Sequence, residues 1–233
     1  MHSILRRIIL STTFVLVPVM GVQAYEKGDW IIRTGPTNVD PDTDSDAFDI
    51  AGLAAVKVDV DDAWALGVTA TYMITDSLGI ELLAATPFKH DITVDGAPVD
   101  AGETKHLPPT LTLSWYPRGG KPGWQPFIGV GFNYTYFWDE EVDKELEEAL
   151  GVITEPITGR TDPVRSSLSL DESWGFAGRL GVDYPFSDNW SATASMWYID
   201  IGTEATIRNA LGNFKADVDI DPFVYMLGVS YRF

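Results

Sequence analysis

Read two residues at a time, the chain sorts its side chains onto alternating faces. From Phe223 onward, Phe223, Tyr225, Leu227, Val229, Tyr231 and Phe233 share one face, while Val224, Met226, Gly228, Ser230 and Arg232 share the other. Large apolar residues on one side and small or polar ones on the other, with a period of two, mark a strand between lipid and a narrow lumen. The same period returns at Trp190–Ile201, Leu168–Tyr184 and Gln125–Trp138. It also runs through Gly28–Val39, Asp62–Ile74, Leu78–Asp91 and Lys105–Pro117, which makes eight strands.

The connections alternate in length. Thr75–Ser77, Arg118–Trp124 and Pro185–Asn189 are short, while Asp40–Asp61, Ile92–Thr104, Asp139–Ser167 and Gly202–Ala216 are long. The pattern predicts an all-β fold, an eight-stranded antiparallel transmembrane β-barrel with short periplasmic turns and long extracellular loops. Trp64, Trp138 and Trp174 fall near the long-loop side, and Trp115, Tyr184, Trp190, Tyr231 and Phe233 near the short-turn side, as two interfacial girdles require. A soluble lipocalin-like barrel would invert the pattern, with large apolar residues inside.

Composition agrees. Apolar residues make up 45% of the chain and aromatics 12%, yet beyond residue 24 no run approaches the ~20 apolar residues of a spanning helix. A closed barrel hides such hydrophobicity on alternate positions. The start of the chain carries Arg6 and Arg7, then a mostly apolar run from Ile8 to Val22 and the small-residue pattern Val22-Gln23-Ala24. That predicts a signal peptide over 1–24 and an outer-membrane barrel over 25–233. Without residues 1–24 the 16 basic side chains become fourteen against 34 acidic ones, so nucleic acid is not an expected partner. The absence of cysteine excludes a disulfide framework and thiolate metal sites.

Six runs then point to a family: Tyr72–His90 (YMITDSLGIELLAATPFKH), His106–Thr110 (HLPPT), Pro126–Tyr134 (PFIGVGFNY), Ser173–Tyr184 (SWGFAGRLGVDY), Trp197–Ile201 (WYIDI) and Asp221–Phe233. In order and spacing they resemble the OmpW family of outer-membrane proteins. The resemblance implies an eight-stranded barrel with a narrow hydrophobic channel for small hydrophobic compounds. It also links the chain to stress adaptation and bacteriocin reception, so a surface structural or receptor role is the alternative to transport. The acid-rich stretch Asp139–Leu150 departs from the family pattern.

No catalytic residue, cofactor or metal site is expected. His90 and His106 flank the second long loop and, by strict alternation, fall on opposite faces, which separates them as metal ligands or as a catalytic base pair. Asp40, Asp42, Asp44, Asp46 and Asp49 are spaced like calcium ligands but lack the central Gly and terminal Glu of an EF-hand loop. Glu140–Leu150 places Val142, Leu146, Ala149 and Leu150 at helical spacing, a short amphipathic helix at the barrel mouth.

The inward positions carry the functional expectations. Arg33, Glu81, Arg179 and Asp183 point into the periplasmic half, two of each sign, and predict a paired lumen charge plug. Above it Leu83, Ala85, Trp197 and Ile199 also point inward, with Leu83 and Trp197 at similar depth as the channel constriction. Pro87, Pro108 and Pro109 lie on one hairpin and lack the N–H a ladder needs, so they mark a lateral opening. Phe233 resembles the C-terminal aromatic signal read by the barrel assembly machinery. Outer-membrane lipid and lipopolysaccharide and a small hydrophobic ligand complete the expected partners.

Overall fold

The computed structural model describes residues 24–233. The expected signal peptide therefore lies outside the described residues, apart from Ala24. Eight strands close into a barrel: β1 Trp30–Asp40, β2 Ala63–Thr75, β3 Leu78–Ala85, β4 Thr110–Trp115, β5 Gln125–Val142, β6 Ser173–Pro185, β7 Trp190–Ile199 and β8 Phe223–Arg232. Sequential neighbours pair antiparallel, and β8 returns to β1 in the register Ile31↔Arg232 through Asp40↔Phe223. At that seam Gly35 and Gly228 oppose each other's strand so closely that a Cβ on either would collide with the carbonyl of Leu227 or Thr34.

The outer face is apolar where lipid would lie. Val130 is 70% exposed, Phe176 67% and Leu227 66%. The aromatic ends sit as the girdles require, with Trp64 and Trp174 exposed on one side and Trp115, Trp190 and Phe233 on the other.

The long connections are not open loops. They fold into a second layer above the barrel. Val58–Val60 pairs with Phe88–Val94, which pairs with Asp100–Leu107, which in turn pairs with the outer end of β5. Opposite stands a four-stranded sheet of Ser166–Leu170, Gly202–Asn209, Gly212–Asp219 and Asp44–Ser45. A small hairpin, Phe48–Ile50 with Ala54–Val56, fills one side.

The amphipathic helix exists, but it starts later and runs longer than expected. β5 takes residues 140–142, and α1 spans Lys144–Thr158. Glu145 and Glu147 sit in its first turn, where the helix dipole favours acids. Gly159 closes it in the left-handed conformation at φ 68°, donating its N–H to the Glu155 carbonyl. Leu146 and Leu150 are buried against the second layer.

Three expected strands are interrupted, among them Lys105–Pro117, which is split at Pro108-Pro109. In β3 the buried positions are Gly79, Glu81 and Leu83, but beyond Thr86-Pro87 they become Phe88, His90 and Ile92. The parity changes because the β3–β4 ladder ends at Leu83↔Thr110 and resumes at Phe88↔His106, with four residues on one side facing three on the other. An extra residue in one strand of an antiparallel pair is a bulge, and it rotates everything beyond it by one face. The expected strand Leu168–Tyr184 is likewise split, at Asp171-Glu172.

Candidate functional site

The periplasmic half of the lumen is closed by charge. Arg33, on β1, reaches across the barrel: Nη1 donates to Glu81 Oε2 at 3.0 Å and Nη2 to Asp183 Oδ2 at 2.6 Å. Arg179 pairs with the other oxygen of Glu81. All four side chains are fully buried. Buried charges are least costly when their remaining sites are also satisfied, which holds for Arg33 but not for Arg179, whose Nε and Nη2 lack hydrogen-bond partners in the protein. Here Thr71 accepts from Arg33 at 2.6 Å and donates to Glu81 at 2.6 Å, and Tyr25 donates to Asp183 at 2.7 Å. Arg33 also donates to the Tyr116 hydroxyl at 3.1 Å, and the Arg179 guanidinium lies 4.2 Å from the centre of the Phe127 ring.

The structure thus brings Arg33, Glu81, Arg179 and Asp183 into one network and adds Tyr25, Thr71 and Tyr116, which sequence reasoning left out. The inward parity of Thr71 on β2 was the available signal. Tyr25 precedes β1 and carried no periodicity at all.

Leu83 and Trp197 both lie in the buried apolar cluster above the network, at 4% and 0% exposure. Trp197 is packed between its neighbours with Arg179 5.1 Å from its ring, and it lines neither the small cavity beside Leu83 nor the larger one above Phe88. Leu83 lines a small cavity of about 10 Å³ with Thr37, Ala84, Phe88, Pro108 and Ile199.

That cavity abuts the place where the barrel wall is unzipped. Between Leu83↔Thr110 and Phe88↔His106 no residues of the two strands pair. Pro108 and Pro109 have no N–H to offer β3, whereas the Pro109 carbonyl accepts from Tyr134 of β5 at 3.1 Å, so the other side of β4 stays closed. Pro87 is exposed on β3's side. The Thr86 N–H still donates to Leu66 of β2 at 3.0 Å, which puts the gap level with exposed Leu66 and Tyr136 and below Trp64 and Trp138 on the same strands.

Above Phe88 a larger cavity of about 60 Å³ lies between the two external sheets, lined by Phe48, Ile92, Phe137, Leu146, Leu150 and Ile207 among others. A void of this size costs roughly 1–1.5 kcal/mol at ~24 cal/mol per Å³. It is also several times the ~10–15 Å³ that one water needs. Its wall is apolar except for Thr104, Thr203, His90 and His106.

The two histidines correct the sequence expectation. They are not on opposite faces. The bulge at Thr86-Pro87 turns His90 inward, and the imidazoles stack with centroids 4.7 Å apart and planes 17° from parallel. Burial first, then the neighbouring His90 ring, holds His106 well below the usual histidine range. Burial lowers His90 too, against the opposing pull of the Asp61 carbonyl and the Asp62 and Asp91 carboxylates. Among the described residues no group of three or more His, Cys, Asp or Glu side chains is placed to hold a metal ion.

The comparisons with known proteins bear on the whole barrel. A family model described as the OmpW family matches residues 26–233. Outer membrane protein W of Vibrio cholerae serotype O1 is 38% identical over 217 residues, covering 91% of this chain and 92% of that protein. The crystal structure of the outer membrane protein OprG from Pseudomonas aeruginosa matches with a TM-score of 0.79 and 40% identity, covering 91% of this chain and 99% of that one. The dibenzothiophene metabolism operon protein PahQ of Pseudomonas aeruginosa is 23% identical over 212 residues, covering 89% and 90% respectively. With a closed eight-stranded barrel, an apolar outer band between aromatic girdles and a family match across nearly every described residue, this chain belongs to the OmpW family and resides in the bacterial outer membrane.

Proposed function

We propose that this protein conducts small hydrophobic molecules from outside the cell into the outer membrane. The apolar cavity above the barrel receives them, and the unpaired wall at Pro87, Pro108 and Pro109 releases them sideways. The observation that carries this reading is the placement of the wall gap beside an apolar cavity and above a charged seal. A hydrophobic solute that reaches Leu83 loses its favourable surroundings if it moves down toward Arg179 and Glu81, and keeps them if it moves outward into lipid. The open backbone groups of the gap would be costly against acyl chains unless protein, water or a passing solute met them. PahQ, a distant relative, belongs by its name to an operon for metabolism of dibenzothiophene, an apolar aromatic, which supports this substrate class.

Uptake of radiolabelled ethylbenzene tests the reading, in cells carrying the protein and in cells lacking it. Joint replacement Pro87→Thr, Pro108→Thr and Pro109→Val restores the missing N–H groups. Uptake should fall toward that of cells lacking the protein, while the unheated protein keeps the gel mobility of a folded barrel. Parental uptake through a wall shown by amide exchange to be closed would sink the lateral route. Equal uptake with and without the protein would favour a structural or receptor role at the surface.

A further inference from the structure

The conduit reading accounts for the apolar lining but not for two histidines buried in it. His90 and His106 are 1% and 2% exposed, and both line the upper cavity. Neither Nε2 has a hydrogen-bond partner in the protein. Orphaned imidazole nitrogens in an otherwise apolar wall are costly, at roughly 1–3 kcal/mol for each unsatisfied group. Simple packing would be better served by Leu or Phe.

Their chemistry is constrained by what the rings already touch. The His90 Nδ1 lies 2.6 Å from the Asp61 backbone carbonyl, and a carbonyl only accepts, so Nδ1 carries the proton. In a neutral ring Nε2 is then a lone pair that needs a donor. Burial keeps that ring neutral. The Nε2 of His106 has no such constraint, and its ring is free to take the tautomer that donates there.

We propose that His90 and His106 form the polar subsite of the upper cavity and recognise the hydroxyl of a small phenol- or alcohol-type hydrophobic molecule. A hydroxyl both donates and accepts, so it gives its proton to His90 Nε2 and accepts from His106 Nε2–H. A carboxylate has no proton for His90, and an ether has none either. The inference rests on the conduit reading for the ring or alkyl part of the ligand, which the apolar lining takes. The bulge at Thr86-Pro87 thus has two consequences: it opens the wall below and turns His90 into the cavity above.

Three matched probes test it on the purified barrel in lipid nanodiscs: 4-ethylphenol, its methyl ether 4-ethylanisole, and ethylbenzene. After correction for partition into protein-free nanodiscs, 4-ethylphenol should bind about tenfold more tightly than the other two, the worth of one good hydrogen bond. In His90→Phe that preference should disappear while ethylbenzene binding stays the same or tightens. His90→Gln, which keeps an acceptor, should retain part of the preference and serves if His90→Phe fails to fold. Equal binding of all three probes to the parent protein, 4-ethylanisole matching 4-ethylphenol, or a preference unchanged in both variants would overturn the hydroxyl subsite and leave the conduit standing. If no probe binds the parent protein at all, the conduit reading falls and this inference with it.

Discussion

The two ends of the lumen solve opposite problems. At the periplasmic end the ladders run to the turns with one irregularity between Met73 and Thr75, alternation places the four charged side chains, and the interior is filled by ions that neutralise one another. At the extracellular end the ladders are bulged and split, parity changes within a strand, and the interior is an apolar cavity with two unpartnered nitrogens. Under the proposed conduit function, this difference is what would let a barrel too narrow for an open pore serve as a route. One end is packed with paired charges, although Arg179 Nε and Nη2 lack hydrogen-bond partners there, and the other carries voids and an interrupted ladder in an apolar setting.

The sharpest way to break that contrast is to damage the seal. Arg33→Met leaves Asp183 buried without its cationic partner and Glu81 with Arg179 alone, a loss of about 3–5 kcal/mol. The temperature at which the folded gel band disappears should fall by a wide margin. Adding Asp183→Asn should restore most of it, because Arg179 and Glu81 then remain as a balanced buried pair. A single variant as stable as the parent would mean that water, not Arg33, satisfies the carboxylates.

The upper layer should respond differently. Leu150→Ala removes a fully buried side chain of α1 and costs about 2–5 kcal/mol, confined to the external layer. Added protease should then cut intact cells within residues 139–167, leaving the 75–77 turn untouched and the barrel's unfolding temperature unchanged. A barrel that lost stability in step would show that the two regions fold as one unit.

Between seal and cavity stands Phe88, which lines the lower cavity and packs 5.6 Å from the His106 ring that lines the upper one. Phe88→Ala should join the two spaces and raise ethylbenzene uptake. Trp197→Ala, deeper and beside Arg179, should destabilise the barrel by about 3–5 kcal/mol and affect uptake less. The reverse order of uptake would place the constriction at Trp197.

The smallest effect is that of pH. His90 and His106 are held below their ordinary value, so the unfolded external layer binds more protons than the folded one in acid. Their contribution to stability is complete above about pH 6.5 and declines as the pH falls below it. Proteolysis of the external layer in intact cells should be faster at pH 5 than at pH 7.5, with the barrel unaffected. An identical rate at both would mean that the rings stay neutral through the opening of that layer.

How much of this was legible without coordinates follows from the same contrast. Strand count, orientation of the faces, the girdles and the inward set Arg33, Glu81, Arg179 and Asp183 all follow from a period of two, which the chain states locally and repeats eight times. The prolines announced a missing ladder bond in the same local way. What the sequence could not state was pairing between distant segments. Tyr25 reaches Asp183, 158 residues away, and Ser166–Leu170 pairs with Gly202–Asn209, a stretch that reads as a loop. The side chain of His90 depends on one extra residue at Thr86-Pro87, and a bulge is defined only against the partner strand that fails to match it. Alternation is a property of one strand and is written in it; register, cavities and the meeting of two histidines are properties of pairs, and only the closed tertiary structure decided them.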